Sequence, residues 1–509
     1  MKAGTILTGC GAGVVATLPY MWPLFSPYHY ARYRSFHSLD SMIWGALIDL
    51  MVVSALAALL FFYLERKDRA YLSLIWAFVV ARLASLAVQT LANSQWPALR
   101  HVRTSIPFVI TLLIALALRW TRPRIYAGMA KGSAALLLLA GLSALWVVPE
   151  LLYLGLRPKA PEPVLAASAP THDTPSLSPN TQAGRRIVWL VFDELSYQQT
   201  FERRFPGLAM PAFDQLRSQS FLFQNVRPAA YYTERALPSL FLGQVVEDIR
   251  SDLDGQAILK LSGQDRWSAL NQQSTIFGDA RRNHWTTGIA GWWNPYCRIL
   301  PNTLDSCYWT TEETNGIFST ENSALENAAA PFLSRINQHA PTVEQRHEAS
   351  LQAMMEQAQT LITDEKIRFV FIHLPVPHPP GIYDRTTGKL RATGTYIDNL
   401  ALADRSLGEL IEELNTTPSA KNTTLIVCSD HSWRVPMWKS SDGWSAEEEA
   451  ASRGKFDPRP VIMIRFPQQS HEVAVSGPFN QVALHGILVS MLQGSMNSPA
   501  DLEAWLKTQ

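Results

Sequence analysis

Apolar residues are unevenly distributed along the chain, and five long runs of them fill its first third. The runs cover residues 6–25, 42–63, 71–91, 105–120 and 134–156. A helix needs about 20 apolar residues to cross the hydrocarbon core of a membrane, and all but the fourth run reach this length. Any one run could be a buried helix of a soluble protein, but five in series with short loops predict a transmembrane bundle at residues 1–156.

The basic residues of the loops predict the orientation of this bundle. The loops after the second and fourth runs carry Arg66, Lys67, Arg69, Arg119, Arg122, Arg124 and Lys131. The opposite side carries Arg32, Arg34, Arg100, Arg103, Arg157 and Lys159. Because basic loops tend to stay in the cytoplasm, this modest excess places the amino terminus inside the cell. With five spans of the cell (inner) membrane, everything after residue 156 lies on the extracytoplasmic, or periplasmic, side.

The rest of the chain has a different pattern. Residues 157–184 are rich in Pro, Ala, Ser and Thr without apolar periodicity, which predicts an extended linker. Residues 185–509 alternate short apolar runs with amphipathic stretches, which indicates an α/β domain. Its clearest helix covers residues 399–414, where apolar positions are spaced by three and four.

Three apolar runs of this domain have the same ending. Residues 187–194 (IVWLVFDE), 368–374 (RFVFIHL) and 423–431 (TTLIVCSDH) read as strands that are buried on both faces. The residues at or just beyond their carboxyl ends are Asp193, Glu194, His373, His378, Asp430 and His431. Open α/β sheets place ligand sites at the carboxyl ends of their strands, so we expect these side chains to meet at one edge of one sheet.

Carboxylate and imidazole ligands suit zinc, manganese, magnesium or calcium, and the sequence does not choose among these ions. Asp193 and Glu194 cannot both point the same way from a regular strand. At a junction between strand and loop either or both can bind, and we favour Asp193. Taken alone, an aspartate at a strand end often only caps the next helix; the ordered series of strand ends favours a metal site.

Residues 228–243 (PAAYYTERALPSLFLG) offer a nucleophile. Thr233 precedes a short helix that we expect to begin near Pro238. The amino end of a helix favours anions, and a divalent metal would lower the pKa of the hydroxyl for attack on phosphorus or sulfur. The alternative is that Thr233 only caps the helix. Beside the metal-ligand series, the nucleophile interpretation is preferred.

Charge and cysteine content add two expectations. The formal net charge of +1 gives no electrostatic reason to expect a nucleic-acid partner. Cys297 and Cys307 flank a loop-like segment and could form one local disulfide in an oxidising compartment, or remain two unpaired thiols.

Six motifs along the chain resemble, in their order, the sulfatase-like branch of the alkaline phosphatase superfamily. They are VFDELSY, MPAFDQLRSQSFLFQNV, T-x-x-x-x-P-S-L-F-x-G, HLPVPHPP, Y-I-D-N-x-x-x-x-D-R-x-L-G and SDH. The five predicted spans add a resemblance to lipid phosphoethanolamine transferases and lipoteichoic-acid synthases. The resemblance implies an α/β sandwich with a mostly parallel sheet at residues 185–509. It also implies one or two divalent ions held by Asp193 or Glu194, Thr233, Asp430 and His431.

The resemblance further implies roles in substrate binding. His373 and His378 match the H-x-x-x-P-H segment of the family, so we expect them to bind phosphoryl oxygens or to protonate a leaving oxygen. Arg235 and Arg434 are candidate anion contacts, or else solvated surface charges. Ala236 stands where a sulfatase needs Cys or Ser for conversion to formylglycine, and Leu240 replaces the family arginine. These two departures argue against formylglycine chemistry.

Three hypotheses follow. The first is a membrane-anchored, metal-dependent hydrolase or transferase of phosphate esters. It would move a phosphoethanolamine- or phosphoglycerol-type group from a membrane lipid through Thr233 to a glycan, a lipid or water. The second is a sulfuric-ester hydrolase that acts on an extracytoplasmic glycan. The third is a membrane scaffold without catalytic activity.

Overall fold

The computed structural model describes residues 2–26, 33–34, 39–67, 69–94, 105–158, 184–311, 322–333, 341–441 and 443–508. The chain forms two compact units. The first comprises Met1–Ser26, His37–Lys159 and Asn315–Gln338, and the second comprises Pro27–Phe36, Ala160–Thr314 and His339–Gln509. All but the two ends of the predicted linker, residues 157–184, lie outside the described residues, so the linker remains a prediction.

The described α-helices, in chain order, are α1 (Ala3–Phe25), α2 (Asp40–Lys67), α3 (Arg69–Ser94), α4 (Ser105–Thr121), α5 (Pro123–Leu156), α6 (Pro211–Arg217), α7 (Thr233–Leu242), α8 (Ile276–Arg282), α9 (Tyr296–Ile299), α10 (Ala324–Leu333), α11 (Val343–Thr363), α12 (Tyr396–Thr416), α13 (Val435–Trp438), α14 (Ala446–Ser452), α15 (Leu484–Gln493) and α16 (Pro499–Leu506). The described strands are β1 (Arg186–Asp193), β2 (Phe221–Arg227), β3 (Val246–Ser251), β4 (Ala257–Leu261), β5 (Trp267–Ala269), β6 (Thr287–Trp292), β7 (Ser306–Thr310), β8 (Phe369–Pro377), β9 (Gly381–Asp384), β10 (Lys389–Gly394), β11 (Thr423–Ser429), β12 (Ile462–Arg465) and β13 (Val473–Asn480).

Each of the five predicted spans corresponds to one of the helices α1 to α5. Among the described residues, three helical segments are long and apolar enough to cross a membrane: Asp40–Lys67, Ala70–Val88 and Pro123–Leu156. The apolar parts of α1 and α4 are shorter, Ala3–Leu18 and Ile106–Thr121. At 1.5 Å per residue, the 17-residue α4 is about 26 Å long, less than the ~30 Å hydrocarbon core. The helical region is therefore compatible with a membrane anchor.

The second unit is built on a mostly parallel sheet, as predicted. Among the described residues its order is β13-β2-β12-β11-β1-β8-β6-β7, and β12 runs antiparallel to both of its neighbours. Successive residues of β1 alternate between two apolar cores: Ile187, Trp189 and Val191 face one, and Val188, Leu190 and Phe192 face the other. The prediction that this strand is buried on both faces is confirmed, and both cores cover the strands that carry the candidate site.

The order of the central strands explains why the predicted site residues meet. β1 lies between β11 and β8 and is parallel to both. Phe192 pairs with Ser429, so Asp193 and Asp430 follow at the same level of the sheet edge. One detail differs from the prediction: β8 continues to Pro377, so His373 lies inside the strand, opposite Val191.

One further expectation has a clear outcome. Cys297 and Cys307 form the disulfide that was one of the two alternatives. The helices that follow β7 are divided between the two units. Within the first unit, α10 approaches α2, where Asn327 Nδ2 donates a hydrogen bond to Ser41 Oγ (3.2 Å). In contrast, α11 packs on the sheet through Leu351 and Met354.

Candidate active site

Thr233 is the first residue of α7, because Tyr232 before it has extended backbone angles (φ −137°, ψ 135°). The predicted start near Pro238 was wrong: the helix begins five residues earlier and contains this proline. The prediction relied on the preference of proline for the first turn of a helix, and it therefore placed the start of the helix too late in the chain. The Thr233 hydroxyl does not act as a helix cap. It points instead at the carboxylates of Asp193 and Asp430.

Three of the predicted side chains meet around this hydroxyl. Thr233 Oγ1 lies 3.1 Å from Asp193 Oδ2 and 2.8 Å from Asp430 Oδ2. His431 Nε2 lies 3.3 Å from Thr233 Oγ1 and 3.3 Å from Asp430 Oδ2. Asp193, Asp430 and His431 are completely buried, and Thr233 is 3% exposed. The structure thus brings together residues that are up to 238 positions apart, Asp193 and His431.

The partners of the two histidines show which ring nitrogen carries the proton. His431 Nδ1 lies 3.1 Å from the carbonyl oxygen of Ser432, and His373 Nδ1 lies 2.9 Å from that of Trp292. A carbonyl oxygen can only accept a hydrogen bond, so each Nδ1 is the donor. Each Nε2 then carries a lone pair, which it directs towards the cluster around Thr233. The Nε2 atom of His373 lies 3.6 Å from Asp193 Oδ2.

Carboxylate oxygens and imidazole nitrogen lone pairs therefore face one another, with too few hydrogen atoms to pair all of them in hydrogen bonds. Burial raises the pKa of Asp193 well above its usual value. Burial and the charge of Asp193 raise the pKa of Asp430 to about 8. Among the described residues, Asp193 Oδ1 and His373 Nε2 have no hydrogen-bond partner. Two buried carboxylates and two imidazole lone pairs fit a divalent cation, whose identity this donor set leaves open.

Glu194 has a different environment from Asp193. Its backbone is left-handed (φ 64°), and its N–H donates to Asp430 Oδ1 (3.1 Å). The buried carboxylate accepts hydrogen bonds from Arg434 Nε and from Trp438 Nε1, the latter at 2.7 Å. The sharp turn thus sends the two adjacent carboxylates in different directions, with Asp193 towards Thr233 and Glu194 towards Arg434.

The remaining predicted residues lie at different distances from this cluster. His378 is half-buried, and its Nε2 accepts a hydrogen bond from Arg434 Nη2 at 3.1 Å. Burial lowers the pKa of His378 well below its usual value, so a neutral ring that binds an oxygen is favoured over proton donation. Arg235 forms a half-exposed ion pair with Asp248 (3.1 Å), and no hydrogen bond or ion pair joins it to the cluster within the described part of the chain.

Several residues of the site were missed by the sequence analysis. Tyr296 OH lies 2.8 Å from His373 Nδ1, and its ring packs directly on Gly291, where a Cβ atom would collide with it. Asn294 Nδ2 donates to the carbonyl oxygen of Thr233 (3.4 Å). Gln481 Nε2 donates to the carbonyl oxygens of Ser429 and Asp430. These residues hold the loops of the site in place. They are uncharged, so a search of the sequence for acids and histidines passes over them.

Replacing Glu194 tests whether its carboxylate orients Arg434 or holds a metal. We expect Glu194→Ala to lower kcat/KM by about 10- to 100-fold, the usual effect of losing a residue that positions another, while the metal content of the purified chain stays unchanged. The measurement pairs steady-state kinetics with elemental analysis. Glu194→Gln, which keeps an acceptor for Arg434 and Trp438, is the matched control and should retain more activity. Loss of the metal in Glu194→Ala would make Glu194 a ligand instead.

Comparisons with known proteins identify the family. The family model described as Sulfatase matches residues 185–450, more than half of the chain. A search of curated proteins finds no match. Among solved structures, the sulfatase PsFucS1 from Pseudoalteromonas is similar at 15% identity, with a TM-score of 0.42 and coverage of 62% of this chain and 68% of that one.

Two other similar structures are enzymes that are not named sulfatases. Phosphonate monoester hydrolase of Agrobacterium radiobacter is 13% identical, with a TM-score of 0.37 and coverage of 60% of this chain and 74% of that chain. An inactive variant of murine ectonucleotide pyrophosphatase/phosphodiesterase 5 in complex with AMP is 12% identical, with a TM-score of 0.35 and coverage of 62% and 96%. On the strength of the family model, the chain belongs to the sulfatase family.

Proposed function

We propose that this protein is a membrane-anchored, metal-dependent enzyme that cleaves or transfers phosphate esters through a covalent intermediate on Thr233. The observation that carries the proposal is the environment of one atom. Thr233 Oγ1 lies at the amino end of a ten-residue helix, within 3.3 Å of two buried carboxylates and one imidazole nitrogen. A hydroxyl in that position is placed for nucleophilic attack.

The residues that would hold the cation are Asp193, Thr233, Asp430 and His431. His373 Nε2 lies beside them, 3.6 Å from Asp193 Oδ2. A divalent ion there supplies Lewis acidity, which lowers the pKa of the threonine hydroxyl and stabilises negative charge on the transferred group. Thr233 Oγ1 forms a bond to phosphorus, and the ester oxygen leaves as an alcohol with the proton that Thr233 gives up. Water or an acceptor hydroxyl then attacks phosphorus and releases Thr233 as a hydroxyl.

Other side chains would bind the transferred group. Arg434 is mostly buried and its guanidinium is fixed by Glu194 and His378, which suits recognition of a phosphoryl oxygen. Neutral His378 would add a hydrogen bond from Nδ1, since its Nε2 accepts from Arg434. The amino end of α7 contributes the positive end of the helix dipole, which favours a bound anion. Thr233 keeps its place because Asn294 donates to its carbonyl oxygen and Gln481 accepts from the N–H of Ala229 in the segment before it.

We further propose a membrane lipid as the donor and an extracytoplasmic location for the second unit. Three apolar helices support a membrane anchor, and the basic residues after the second and fourth helices support an amino terminus in the cytoplasm. The disulfide between Cys297 and Cys307 supports an oxidising compartment for the catalytic unit. A glycan, a lipid or water would be the acceptor.

A panel of three model substrates tests the proposed function. The full chain, purified in detergent and loaded with zinc, manganese, magnesium or calcium in turn, would be assayed with an aryl phosphate diester, an aryl phosphate monoester and an aryl sulfate. We expect turnover of a phosphate ester that requires both metal and Thr233. Turnover of the sulfate alone would contradict the proposal in favour of a sulfuric-ester hydrolase. No turnover together with no bound metal would favour the scaffold hypothesis.

A further inference from the structure

Two groups of potential metal ligands lie side by side in the active site, and they share Asp193. Asp193, His373 and Asp430 each offer a ligand atom within 4.8 Å of the others, and so do Asp193, Glu194 and His378. In the first group, Asp193 and Asp430 contact the Thr233 hydroxyl. The second lies on the Glu194 side, so the arrangement of acids and histidines alone would accommodate one or two divalent ions.

The second group already contains a positive charge. Arg434 Nε contacts Glu194 Oε1, and Arg434 Nη2 lies 3.1 Å from His378 Nε2. The same guanidinium therefore contacts two of the three side chains that a second ion would need. A guanidinium cannot be deprotonated in a protein, and the side chain is only 12% exposed, so this charge is permanent and poorly screened.

The charges of the two ligand groups balance with one ion. The carboxylates of the two groups are Asp193, Glu194 and Asp430, and all three are completely buried. One divalent ion and one guanidinium match these three negative charges. A second divalent ion beside Arg434 would leave the buried site with excess positive charge at short range, where a low dielectric makes repulsion costly.

We propose that Arg434 occupies the second cation position, so that the active site takes a single divalent ion, held on the Thr233 side. This inference rests on the proposed function, because it takes the site to bind metal. Glu194 and His378 then act as positioning residues that hold the guanidinium. Arg434 Nη1, which neither contact uses, is left to bind the transferred oxyanion, as a second metal would otherwise do.

Counting bound ions tests this assignment without an activity assay. The full chain in detergent would be stripped with a chelator, reloaded with excess Mn²⁺ and desalted. Bound manganese would then be counted by elemental analysis, and its electron paramagnetic resonance spectrum recorded. We expect one ion per wild-type chain. In Arg434→Ala the count should double, and the spectrum should show coupling between two neighbouring ions, because Glu194 and His378 are released.

Three controls separate this result from a general loss of structure. Arg434→Lys keeps a positive charge, so its count should stay at one. Arg235→Ala removes an arginine near Tyr232 that pairs with Asp248 outside the cluster, and its count should also stay at one. Arg434→Gln repeats the neutral substitution with a longer side chain, in case Arg434→Ala does not fold.

The outcomes distinguish this inference from the function on which it rests. Two ions in the wild-type chain, or one ion in both neutral Arg434 variants, would overturn the assignment of Arg434 and leave a metal-dependent enzyme. No ion in the wild-type chain would overturn the proposed function and the inference together.

Discussion

Replacing Thr233 by alanine is expected to lower kcat/KM by about 10⁴-fold or more, the scale of effect seen when a nucleophile is removed. The substitution removes Oγ1, the atom that lies between Asp193 and Asp430. Alanine is a good helix former, so α7 should still begin at residue 233. The measurement is steady-state turnover of the best ester from the substrate panel, with the metal content determined on the same sample.

Thr233→Ser provides the matched control, because it restores a hydroxyl at the same backbone position. Its activity should stay within about 100-fold of that of the wild-type chain, because the nucleophile is kept but is held less firmly in position for attack. If Thr233→Ala keeps substantial activity with metal bound, then a water molecule or another group attacks the ester. The covalent mechanism would be wrong in that case, although the metal site could stand.

Removing the metal is expected to abolish turnover and to reduce stability, and the loss of stability should depend on pH. In the metal-free chain the pKa of Asp430 is raised to about 8 by burial and by Asp193, and the pKa of Asp193 is also raised. At these two carboxyl groups the folded chain then binds more protons than the unfolded chain between pH 4 and pH 8, whereas burial lowers the pKa values of His373, His378 and His431 and has the opposite effect below about pH 6.5. The stabilisation that the two carboxyl groups give the metal-free chain therefore falls as pH rises through this window, whereas a bound cation favours the ionised carboxylates.

Thermal unfolding with and without a chelator checks this prediction. The difference in Tm between metal-loaded and metal-free chain should be several degrees larger at pH 8 than at pH 5.5. Asp430→Asn removes one of the two coupled carboxylates, so the Tm of its metal-free form should vary less across the same pH range. Equal differences in Tm at both pH values would show that Asp193 and Asp430 do not carry the pH dependence.

The strands and the convergence of charged residues could be predicted from the sequence because both follow from local patterns. β1, β8 and β11 are continuous apolar runs, and a parallel sheet brings their carboxyl ends to one edge. Asp193 and Asp430 meet for that reason alone. The first residue of α7 was harder to predict, because prolines are most common in the first turn of a helix, whereas Pro238 lies in the interior of this one.

Contacts between distant side chains left no local signal. Glu194 and Arg434 are 240 positions apart, and nothing in the pattern around either residue favours an ion pair over a metal ligand. Trp292, Asn294 and Tyr296 lie at or just beyond the carboxyl end of β6, and the rule that found Asp193 would have found them too. They were missed because they are not acids or histidines, while their roles are to orient His373 and to anchor the Thr233 loop.

The most direct measurement of the central claim is the mass of the peptide that contains Thr233 after brief incubation with substrate and acid quenching. The mechanism predicts a covalent adduct on Thr233, absent from Thr233→Ala, whose mass identifies the transferred group. Rapid turnover with no adduct at any quench time, or an adduct on another residue, would contradict it.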